Sequence, residues 1–316
     1  MPEEVETSGA EPRGRVLLTG ATGFLGRGLV GGLSLTGYRI RAATRDTTTL
    51  PKEVESAVVG DLRRPINLSE ALRDVDYVVH SAGLTHSVAG LSEDTYREVN
   101  AGITQTLASA AHKAGVGKFV LLSSVRAQIG PESAEVVAEA EAPRPLDAYG
   151  RSKLEAERLL AEADVSFVVL CLALTHGAGM RFNMSELLRL VRSRWPLPFG
   201  AFRAKRSILA RDHLIDAVAL ALASQDMSGQ IYLAADPDPL SVGEMVAAFR
   251  AGWSRSPGLI LVPPGVVDLV ARPFRRHDQI HRLRQRLVVD PSKLMAAGWV
   301  PRRSAFEALA ETARAS

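Results

Sequence analysis

The sequence predicts an α/β fold in which a doubly wound, Rossmann-type parallel sheet is followed by a smaller C-terminal substrate-binding region. Short runs rich in Val, Ile and Leu alternate with helical patterns in the first half of the chain, which is typical of a parallel sheet with crossover helices. A glycine-rich turn follows the first run. Beyond about Thr175 the alternation becomes less regular, and Pro-rich turns separate the helices. With 316 residues, of which 46% are hydrophobic, the chain can bury the core that this fold needs.

The predicted elements alternate closely in the first half and are more widely spaced in the second. Strands are predicted at Arg15–Thr19, Arg39–Thr44, Ser56–Gly60, Asp76–Ser81, Lys118–Ser123 and Ser166–Cys171. Helices are predicted near Leu25–Thr36, Leu68–Asp74, Ser92–Ala114, Asp147–Glu162, Asn183–Ser193, Arg211–Ala223, Ser241–Gly252 and Arg303–Arg314. Because such a sheet binds its ligand beyond the carboxyl ends of its strands, functional residues are expected just after each run.

We expect the chain to divide into three parts. Residues 1–14 are acidic and contain Pro and Gly, so a disordered tail is predicted there. Residues 15–172 are predicted to form the Rossmann domain. Residues 173–316 are expected to be mainly the substrate-binding region, with a segment at about 205–235 returning to the Rossmann domain.

Composition argues against several classes of protein. The single cysteine, Cys171, cannot form an intramolecular disulfide or a Cys-rich zinc site, and no metal site is expected. No apolar run reaches the roughly 18 residues that a membrane-spanning helix needs, and the N-terminus lacks a signal-peptide pattern, so a cytoplasmic location is predicted. The apolar run Leu259–Val270 is interrupted by two prolines and is expected to pack in the core or in a lid.

The net charge is only +3, and the surplus of base is concentrated in Arg272–Arg286. This segment could contact nucleic acid, a membrane surface or an anionic small molecule, or could be a solvated helix face. It belongs to no nucleic-acid-binding motif that we recognise, so no nucleic-acid partner is expected.

A glycine triad after the first predicted strand indicates a site for a dinucleotide. Gly20, Gly23 and Gly26 are followed by a helical pattern. Glycines let the backbone approach a pyrophosphate, and the free N–H groups at the start of the helix favour an anion. Thr22, Phe24 and Leu25 belong to the same loop, although the two apolar side chains are expected to pack beneath it.

The second predicted strand ends in Thr44-Arg45-Asp46, where such sheets discriminate between nicotinamide cofactors. Arg45 lies 45 − 26 = 19 residues after the last loop glycine, close to the spacing of about 20 residues at which an arginine accommodates a 2′-phosphate. NADP is therefore predicted as the cofactor. NAD remains the alternative, because Asp46 could bind the ribose hydroxyls instead. Asp61 and Leu62 are expected to flank the adenine, or else to begin a helix.

Tyr149 and Lys153 are separated by four residues at the start of a predicted helix, so they share one face. The ammonium can then stabilise a phenolate and bring the pKa of the tyrosine towards neutrality. Ser124 follows the fifth predicted strand, at the same edge of the sheet, and could hydrogen-bond a substrate oxygen; Ser123 is the alternative. The three residues predict an oxidoreductase in which Tyr149 transfers the proton.

These motifs resemble the extended short-chain dehydrogenase/reductase superfamily, especially its NAD-dependent epimerase/dehydratase branch and UDP-glucose 4-epimerase-like members. The resemblance covers roughly residues 15–312. It rests on the loop GATGFLG, the segments VVHSAG and REVN, the run SSVRAQ and the pair Tyr149 and Lys153. It implies that Ser124, Tyr149 and Lys153 are the catalytic triad. It also implies further cofactor contacts at Ser81, Ala82, Gly83 and Asn100.

The resemblance further implies that Asn183, Arg206 and Arg282 hold a nucleotide-linked sugar, with both arginines facing its diphosphate. From the residues alone, Asn183 could equally be a helix N-cap and the arginines solvated surface charges. His86 is a candidate for the same cleft, although a lone histidine is more often a packing or surface residue.

The sequence departs from the family after the sixth strand. The usual Leu-Arg-Pro is replaced by Leu170-Cys171-Leu172, and His176-Gly177 replaces a Tyr-Gly pair that is expected to line the cleft. An epimerase-like enzyme acting on a UDP-linked sugar is the leading prediction, with a homodimer as its candidate assembly. The alternatives are an NADPH-dependent carbonyl reductase, a sugar-nucleotide dehydratase and a non-catalytic NADP-binding subunit.

Overall fold

Seven parallel strands form the central sheet of the protein in a computed structural model. Residues 13–46, 50, 54–85, 90–180, 183–271, 281 and 283–316 are described, without the side chains of residues 183 and 271. From one edge of the sheet to the other the strands are β11 (Gln230–Ala234), β7 (Phe167–Leu172), β5 (Lys118–Ser124), β4 (Tyr77–His80), β1 (Arg15–Thr19), β2 (Arg39–Thr44) and β3 (Glu55–Val58). The order of strands reverses between β1 and β4, so the ligand crevice of this fold opens there.

Helices cover both faces of the sheet because its strands are apolar on both sides, and β1, β5 and β7 are almost completely buried. The helices of this part are α1 (Phe24–Leu35), α2 (Leu68–Ala71), α3 (Glu93–Tyr96), α4 (Ile103–Lys113), α5 (Val125–Gln128), α6 (Ala148–Ala161) and α8 (Arg211–Ala223). A π-helical turn, Arg97–Gly102, joins α3 to α4 without a break.

Two glycines on α1 allow α8 to pack closely against it. A Cβ atom at Gly28 would lie 2.6 Å from the side chain of Arg211, and one at Gly32 would lie 2.5 Å from Ile215. Arg211 is the first residue of α8. This close packing therefore brings the start of α8 beside the start of α1.

The C-terminal region has its own apolar core, in which Phe199, Phe202 and Phe249 are buried. Its helices are α7 (Asn183–Val191), α9 (Val242–Gly252), α10 (Pro264–Ala271), α11 (Ser292–Ala296) and α12 (Ala305–Arg314). Three short ladders complete it: β8 (Leu174–His176) with β10 (Ile208–Ala210), β9 (Lys205–Arg206) with β12 (Leu240–Ser241), and β6 (Val136–Val137) with β13 (Val288–Val289). Gly252 permits α9 and α12 to touch, since a Cβ there would lie 2.1 Å from the carbonyl oxygen of Ala310.

The predicted fold class is confirmed, and the predicted strands lie within two residues of the observed ones. The edge strand β11 was not predicted as a strand. The expectation that Leu259–Val270 packs in the core or a lid is wrong for most of its apolar side chains, because Leu261, Leu269 and Val270 are 75%, 62% and 62% exposed. In α10 it is Asp268 that is buried, so the helix turns apolar residues outward. No described helix is long and apolar enough to cross a membrane.

Candidate active site

The floor of the crevice is tied together by the hydroxyl of Thr19, the last residue of β1. The backbone N–H groups of Ser81 and Ala82 donate to Thr19 Oγ1 at 3.2 and 3.1 Å. Thr19 Oγ1 lies 2.7 Å from Nδ1 of the buried His80. Burial, reinforced by the charge of Lys153, lowers the pKa of His80 to about 3. The imidazole is therefore neutral, and Nδ1 can accept a hydrogen bond from the Thr19 hydroxyl. This network fixes the carboxyl ends of β1 and β4 relative to each other.

The glycine loop leaves no room for side chains at two of its three glycines. Gly20 has a positive φ of 73°, and a Cβ there would lie 2.8 Å from the backbone nitrogen of Ala82. A Cβ at Gly26 would lie 2.0 Å from the carbonyl oxygen of Gly20. Gly23 is the N-cap residue of α1, and its N–H donates to the carbonyl of Gly20 at 2.9 Å. The loop therefore turns back tightly onto the end of β4.

The start of α1 fits a dinucleotide pyrophosphate. No side chain caps this helix, and its first turn carries no acidic residue, so its free N–H groups and positive dipole end are available to an anion. Thr22 is exposed, and its carbonyl accepts from Arg27 Nε at 3.1 Å. Phe24 and Leu25 are only partly exposed and pack towards the C-terminal core and the Rossmann core, respectively.

Arg211 is a residue of this site that sequence reasoning missed. Its guanidinium lies 5.2 Å from the ring centroid of Phe24, and its Nη1 donates to the carbonyls of Ala178 at 2.8 Å and of Phe24 at 3.4 Å. It therefore connects the first residue of α1 to the loop after β8. No sequence signal could have shown this, because Phe24 lies 187 residues away along the chain.

Asn100 lies in the π-helical turn and fixes the loop that follows β4. Its Oδ1 accepts from the N–H of Leu84 at 2.9 Å, and its Nδ2 donates to Ser152 Oγ at 2.9 Å. A Cβ at Gly83 would lie 2.8 Å from Asn100 Oδ1. The loop Ser81–Gly83 is thus held against both the π-helical turn and α6. Such turns are frequent at functional sites.

Ser124 and Tyr149 meet at the carboxyl end of the sheet, as predicted from their positions. Ser124 ends β5 and caps α5, and its Oγ accepts from the N–H of Arg126 at 3.2 Å. Tyr149 is in the first turn of α6, which Asp147 caps by accepting from the N–H of Gly150 at 2.7 Å. The two hydroxyls share a hydrogen bond that tends to lower the pKa of Tyr149. Tyr96 packs edge-on against the Tyr149 ring, with centroids 6.2 Å apart.

Gly150 explains how α6 reaches this position. A Cβ there would lie 2.2 Å from the carbonyl oxygen of Arg126, so only glycine allows the start of α6 to pack against α5. Without this contact, Tyr149 would be displaced from Ser124.

The electrostatics of Tyr149 differ from the expectation. Burial raises the pKa of Tyr149 to about 12, and this outweighs the opposing hydrogen bond from Ser124. The ammonium of Lys153 donates to the carbonyl of Leu122 at 2.8 Å, and burial lowers the pKa of Lys153 to about 8. The predicted lowering of the tyrosine pKa by Lys153 is therefore wrong for the protein alone, and Tyr149 is protonated at neutral pH.

Glu157 lies behind Lys153 and was not among the predicted residues. Its carboxyl is buried, accepts a hydrogen bond from Ser123 Oγ, and lies 3.3 Å from Cys171 Sγ. Burial raises the pKa of Glu157 despite these contacts and the charge of Lys153. The signal that could have identified it is its spacing of four residues from Lys153. Cys171, at the position where the family usually has arginine, is thus a neutral neighbour of this carboxyl.

Two arginines lie close enough to affect each other, and one of them, Arg126, also acts on Tyr149. Arg126 forms an ion pair with Asp147. Arg206, a predicted substrate residue, donates from Nη1 to the carbonyl of Gln285 at 3.1 Å. Burial and the nearby charge of Arg126 lower the pKa of Arg206, opposed by Glu132. This concentration of positive charge favours an anionic group in the cleft.

The cofactor-selecting end of β2 is open to solvent. Arg45 is exposed, while Asp61 is engaged by Arg63, whose Nε donates to Asp61 Oδ1 and Oδ2 at 3.1 and 3.0 Å. These hydrogen bonds lower the pKa of Asp61 to about 2, and Arg45 adds to the effect. Asp61 begins a turn rather than a helix, and Leu62 packs partly against the core.

The remaining predicted residues fall outside this assembly. His86, Arg282 and the side chain of Asn183 lie outside the described part of the chain; the backbone of Asn183 begins α7. His176 is completely buried, with Nδ1 3.0 Å from Thr312 Oγ1 of α12. The His176 ring therefore packs into the C-terminal region and does not itself line the cleft.

Comparison with known proteins assigns this architecture to a family. The family model for the NAD dependent epimerase/dehydratase family matches residues 16–235. The chain belongs to this family. Its resemblance to epimerase-like extended short-chain dehydrogenases/reductases is thereby confirmed, and with it a nicotinamide-dependent enzyme.

Individual relatives cover most of the chain. A UDP-glucose 4-epimerase of Vibrio cholerae is 30% identical over 313 residues, which span 95% of this chain and 94% of the relative. A ceramide reductase of Caulobacter vibrioides is 30% identical over 66% of this chain and 60% of the relative. The solved structure of MoeE5 in complex with UDP-glucuronic acid and NAD has a TM-score of 0.76 at 25% identity, covering 96% of this chain and 98% of that one.

Proposed function

We propose that the protein is an epimerase-like oxidoreductase acting on a nucleotide-linked sugar, through a site made of Ser124, Tyr149 and Lys153. The observation that carries this proposal is the meeting of the Ser124 and Tyr149 hydroxyls beside the buried Lys153, at the sheet edge where the glycine loop ends. The full-length similarity to a UDP-glucose 4-epimerase supports a UDP-linked sugar.

Each of the three side chains has one task. Tyr149 Oη exchanges a proton with a sugar hydroxyl, and Ser124 Oγ holds the same oxygen by a hydrogen bond. Lys153, fixed by the carbonyl of Leu122, carries the positive charge behind them. A bound nicotinamide supplies hydride transfer and, when oxidised, a further positive charge. That charge favours the phenolate of Tyr149, which burial alone disfavours.

Within this proposal the cofactor is NADP, with NAD as the alternative. Ser81, Ala82, Gly83, Asn100 and the glycine loop form its nicotinamide-side and pyrophosphate contacts. Arg45 binds the 2′-phosphate, because it is exposed at the end of β2 and Asp61 is already paired with Arg63. Arg206 binds the substrate diphosphate, and the charge of Arg126 acts on both Arg206 and Tyr149.

Analysis of the sugar product and of the cofactor absorbance tests the proposed reaction. The purified protein is incubated with a panel of UDP-sugars and either NADP or NAD. We expect an isomeric sugar with no net change in cofactor absorbance, because an epimerase regenerates its cofactor in place. Arg206→Ala should raise the apparent substrate KM about 30-fold, corresponding to a charge-assisted contact of about 2 kcal/mol. Arg302→Ala, which removes an ion pair with Asp216, is the surface control.

A carbonyl reductase is the second candidate, and one observation favours it. Tyr149 is protonated at neutral pH, which suits it to donate a proton to a carbonyl. Stoichiometric oxidation of NADPH by a ketone, insensitive to Arg206→Ala, would select this function. Absence of turnover with every sugar and ketone would indicate a non-catalytic nucleotide-binding subunit.

A homodimer in the cytoplasm completes the proposal. The outer surfaces of the π-helical turn and α6 carry an ion pair between Arg97 and Glu155, together with Asp94, Glu98 and Gln105 around a shallow depression. Analytical ultracentrifugation tests the dimer, and Gln105→Lys on this surface should weaken it.

A further inference from the structure

The C-terminal region exposes an apolar surface, carried by residues 195–200 and 258–270, that the proposed reaction does not use. We call it the apolar face. Its members and their exposed fractions are Trp195 (80%), Ile260 (48%), Leu261 (75%), Val266 (49%), Leu269 (62%) and Val270 (62%). Single exposed apolar residues are ordinary on protein surfaces, whereas a group of this size within two segments marks an interaction site.

Backbone hydrogen bonds join the two segments that carry these residues. Residues 195–200 lie beside residues 258–260: the N–H of Leu197 donates to the carbonyl of Gly258, and the N–H of Ile260 donates to the carbonyl of Leu197. A Cβ at Gly200 would lie 3.2 Å from the side chain of Leu261. Helix α10 begins only three residues after Leu261.

The amphipathic pattern of α10 is inverted. Asp268 is 7% exposed, and Val267 packs against the C-terminal core. Val266, Leu269 and Val270, at spacings of three and four residues, form the outward stripe instead. An ordinary surface helix places its apolar stripe inward, so this helix requires a partner for its outer face.

The surroundings of the apolar face are strongly basic. Residues 189–206 contain six arginines and lysines and no acidic residue, and the described residues 250–271 contain Arg250, Arg255 and Asp268. Among them Arg189, Arg192, Arg194, Arg203 and Arg255 are exposed.

We propose that the apolar face docks the protein onto an anionic lipid bilayer. An apolar stripe that includes tryptophan and leucine and is flanked by arginines is the combination that lies in a membrane interface without crossing it. The arginines are attracted by the anionic headgroups near the surface of such a bilayer. A protein partner that covers this face would need a surface with both acidic and apolar side chains. An anionic bilayer has both properties in its headgroups and acyl chains.

Docking in this way would place the substrate cleft beside the membrane. Asp268, on the inner side of α10, lines a depression with Glu132, His281, Arg284 and Gln285. The carbonyl of Gln285 accepts from Arg206 of the proposed substrate site. Asp268, which lines the depression, and the exposed stripe of the docking surface are therefore on different sides of the same helix.

Vesicle flotation tests the proposal with the full-length protein. We expect binding to vesicles of phosphatidylcholine and phosphatidylglycerol in low salt, and at least about tenfold less binding to pure phosphatidylcholine or in about 0.5 M salt. Leu269→Glu should reduce binding about tenfold or more. Leu35→Glu introduces the same charge at an isolated residue on α1 that is 91% exposed, and should leave binding unchanged. Trp195 fluorescence should shift to the blue on vesicles, and Trp195→Phe should remove the shift.

Each alternative gives a distinct result. Equal binding of the parent and Leu269→Glu, or no binding to anionic vesicles, would overturn the proposal. If the parent protein self-associates and Leu269→Glu abolishes that association instead, the face is a contact between two copies. Thermal unfolding of each variant verifies that the fold is intact. None of these outcomes depends on catalysis, so failure here is separate from failure of the proposed reaction.

Discussion

Lys153 and Glu157 lie one helical turn apart on α6, the helix that carries Tyr149, and both are buried. The Lys153 ammonium and the Glu157 carboxyl therefore influence each other. Burial lowers the pKa of Lys153, and the charge of Glu157 opposes this lowering. The other ionisable groups that act on Lys153 or respond to it are Cys171 of β7 and His80 of β4, which is neutral. Glu157 is therefore expected to act through Lys153 as a positioning residue.

Glu157→Gln should shift the alkaline limb of the kcat/KM profile to lower pH, by about one unit. The sign follows from the charge: without the carboxylate the ammonium of Lys153 is less favoured, so Lys153 loses its proton at a lower pH. The amide oxygen can still accept from Ser123 and Cys171. Glu155→Gln, on the same helix but paired with Arg97, is the matched control. An unchanged profile would show that Glu157 has only a packing role.

Stability should also respond to Glu157. Its folded-state pKa is raised, so the unfolded chain releases this proton at a lower pH than the folded protein does. The contribution of protonated Glu157 to the free energy of unfolding is therefore fully present below the pKa of Glu157 in the unfolded chain. It is lost as pH rises through the pKa of Glu157 in the folded protein. Glu157→Gln should unfold at a higher urea concentration than the parent at pH 8, and this gain should disappear at pH 4. Equal gains at both pH values would contradict titration of Glu157.

Tyr149→Phe should lower turnover by about 10² or more while cofactor affinity stays nearly constant, because the ring is kept and the proton donor is lost. Steady-state kinetics and a direct cofactor titration measure the two quantities. Tyr96→Phe is the control: this ring packs against Tyr149, but its hydroxyl donates to the carbonyl of Thr85 at 3.0 Å. Equal losses in both variants would assign the effect to packing.

Arg45→Ala should weaken NADP by about 1.5–3 kcal/mol and leave NAD almost unaffected, since only the 2′-phosphate loses a charge-assisted hydrogen bond. Isothermal titration of the two cofactors measures the difference. Arg73→Ala removes an exposed ion pair with Glu70 and provides the charge control. A parent protein that binds both cofactors equally would disprove the role of Arg45.

Gly26→Ala and Gly31→Ala should have opposite effects although both lie on α1. The added methyl group at residue 26 would lie 2.0 Å from the Gly20 carbonyl, so the variant should lose about 1–3 kcal/mol of stability and much of its cofactor affinity. At residue 31 nothing lies within 4 Å, so alanine should stabilise the helix by about 0.5–1 kcal/mol. Thermal melting of both variants checks the pair.

Local patterns in the sequence were sufficient to predict the sheet, the glycine loop and the shared face of Tyr149 and Lys153. Strands that are buried on both sides show as continuous apolar runs, and a spacing of four residues fixes a helix face. The sequence could not reveal the raised pKa of Tyr149, because burial by distant segments dominates it.

The role of Arg211 and the orientation of α10 were missed because both depend on tertiary packing. Arg211 acts on Phe24 and Ala178 through packing of α1 on α8, and residue types alone do not indicate which surfaces meet. The apolar run that ends in α10 was expected to pack inside because hydrophobicity normally indicates burial. The observed orientation depends on Asp268 turning inward, which a run of apolar letters does not show.

Arg211 physically links two segments that the proposed cofactor and substrate sites use. Its guanidinium joins the first residue of the cofactor helix to the loop that enters the C-terminal region. A ligand that orders one of these segments also restricts the other. The second ligand then loses less conformational entropy when it binds, so cofactor and substrate should bind cooperatively. Reciprocity requires that each ligand change the affinity of the other by the same factor. Under the proposed function, the helix at the cofactor site would then act as an effector site for the substrate cleft.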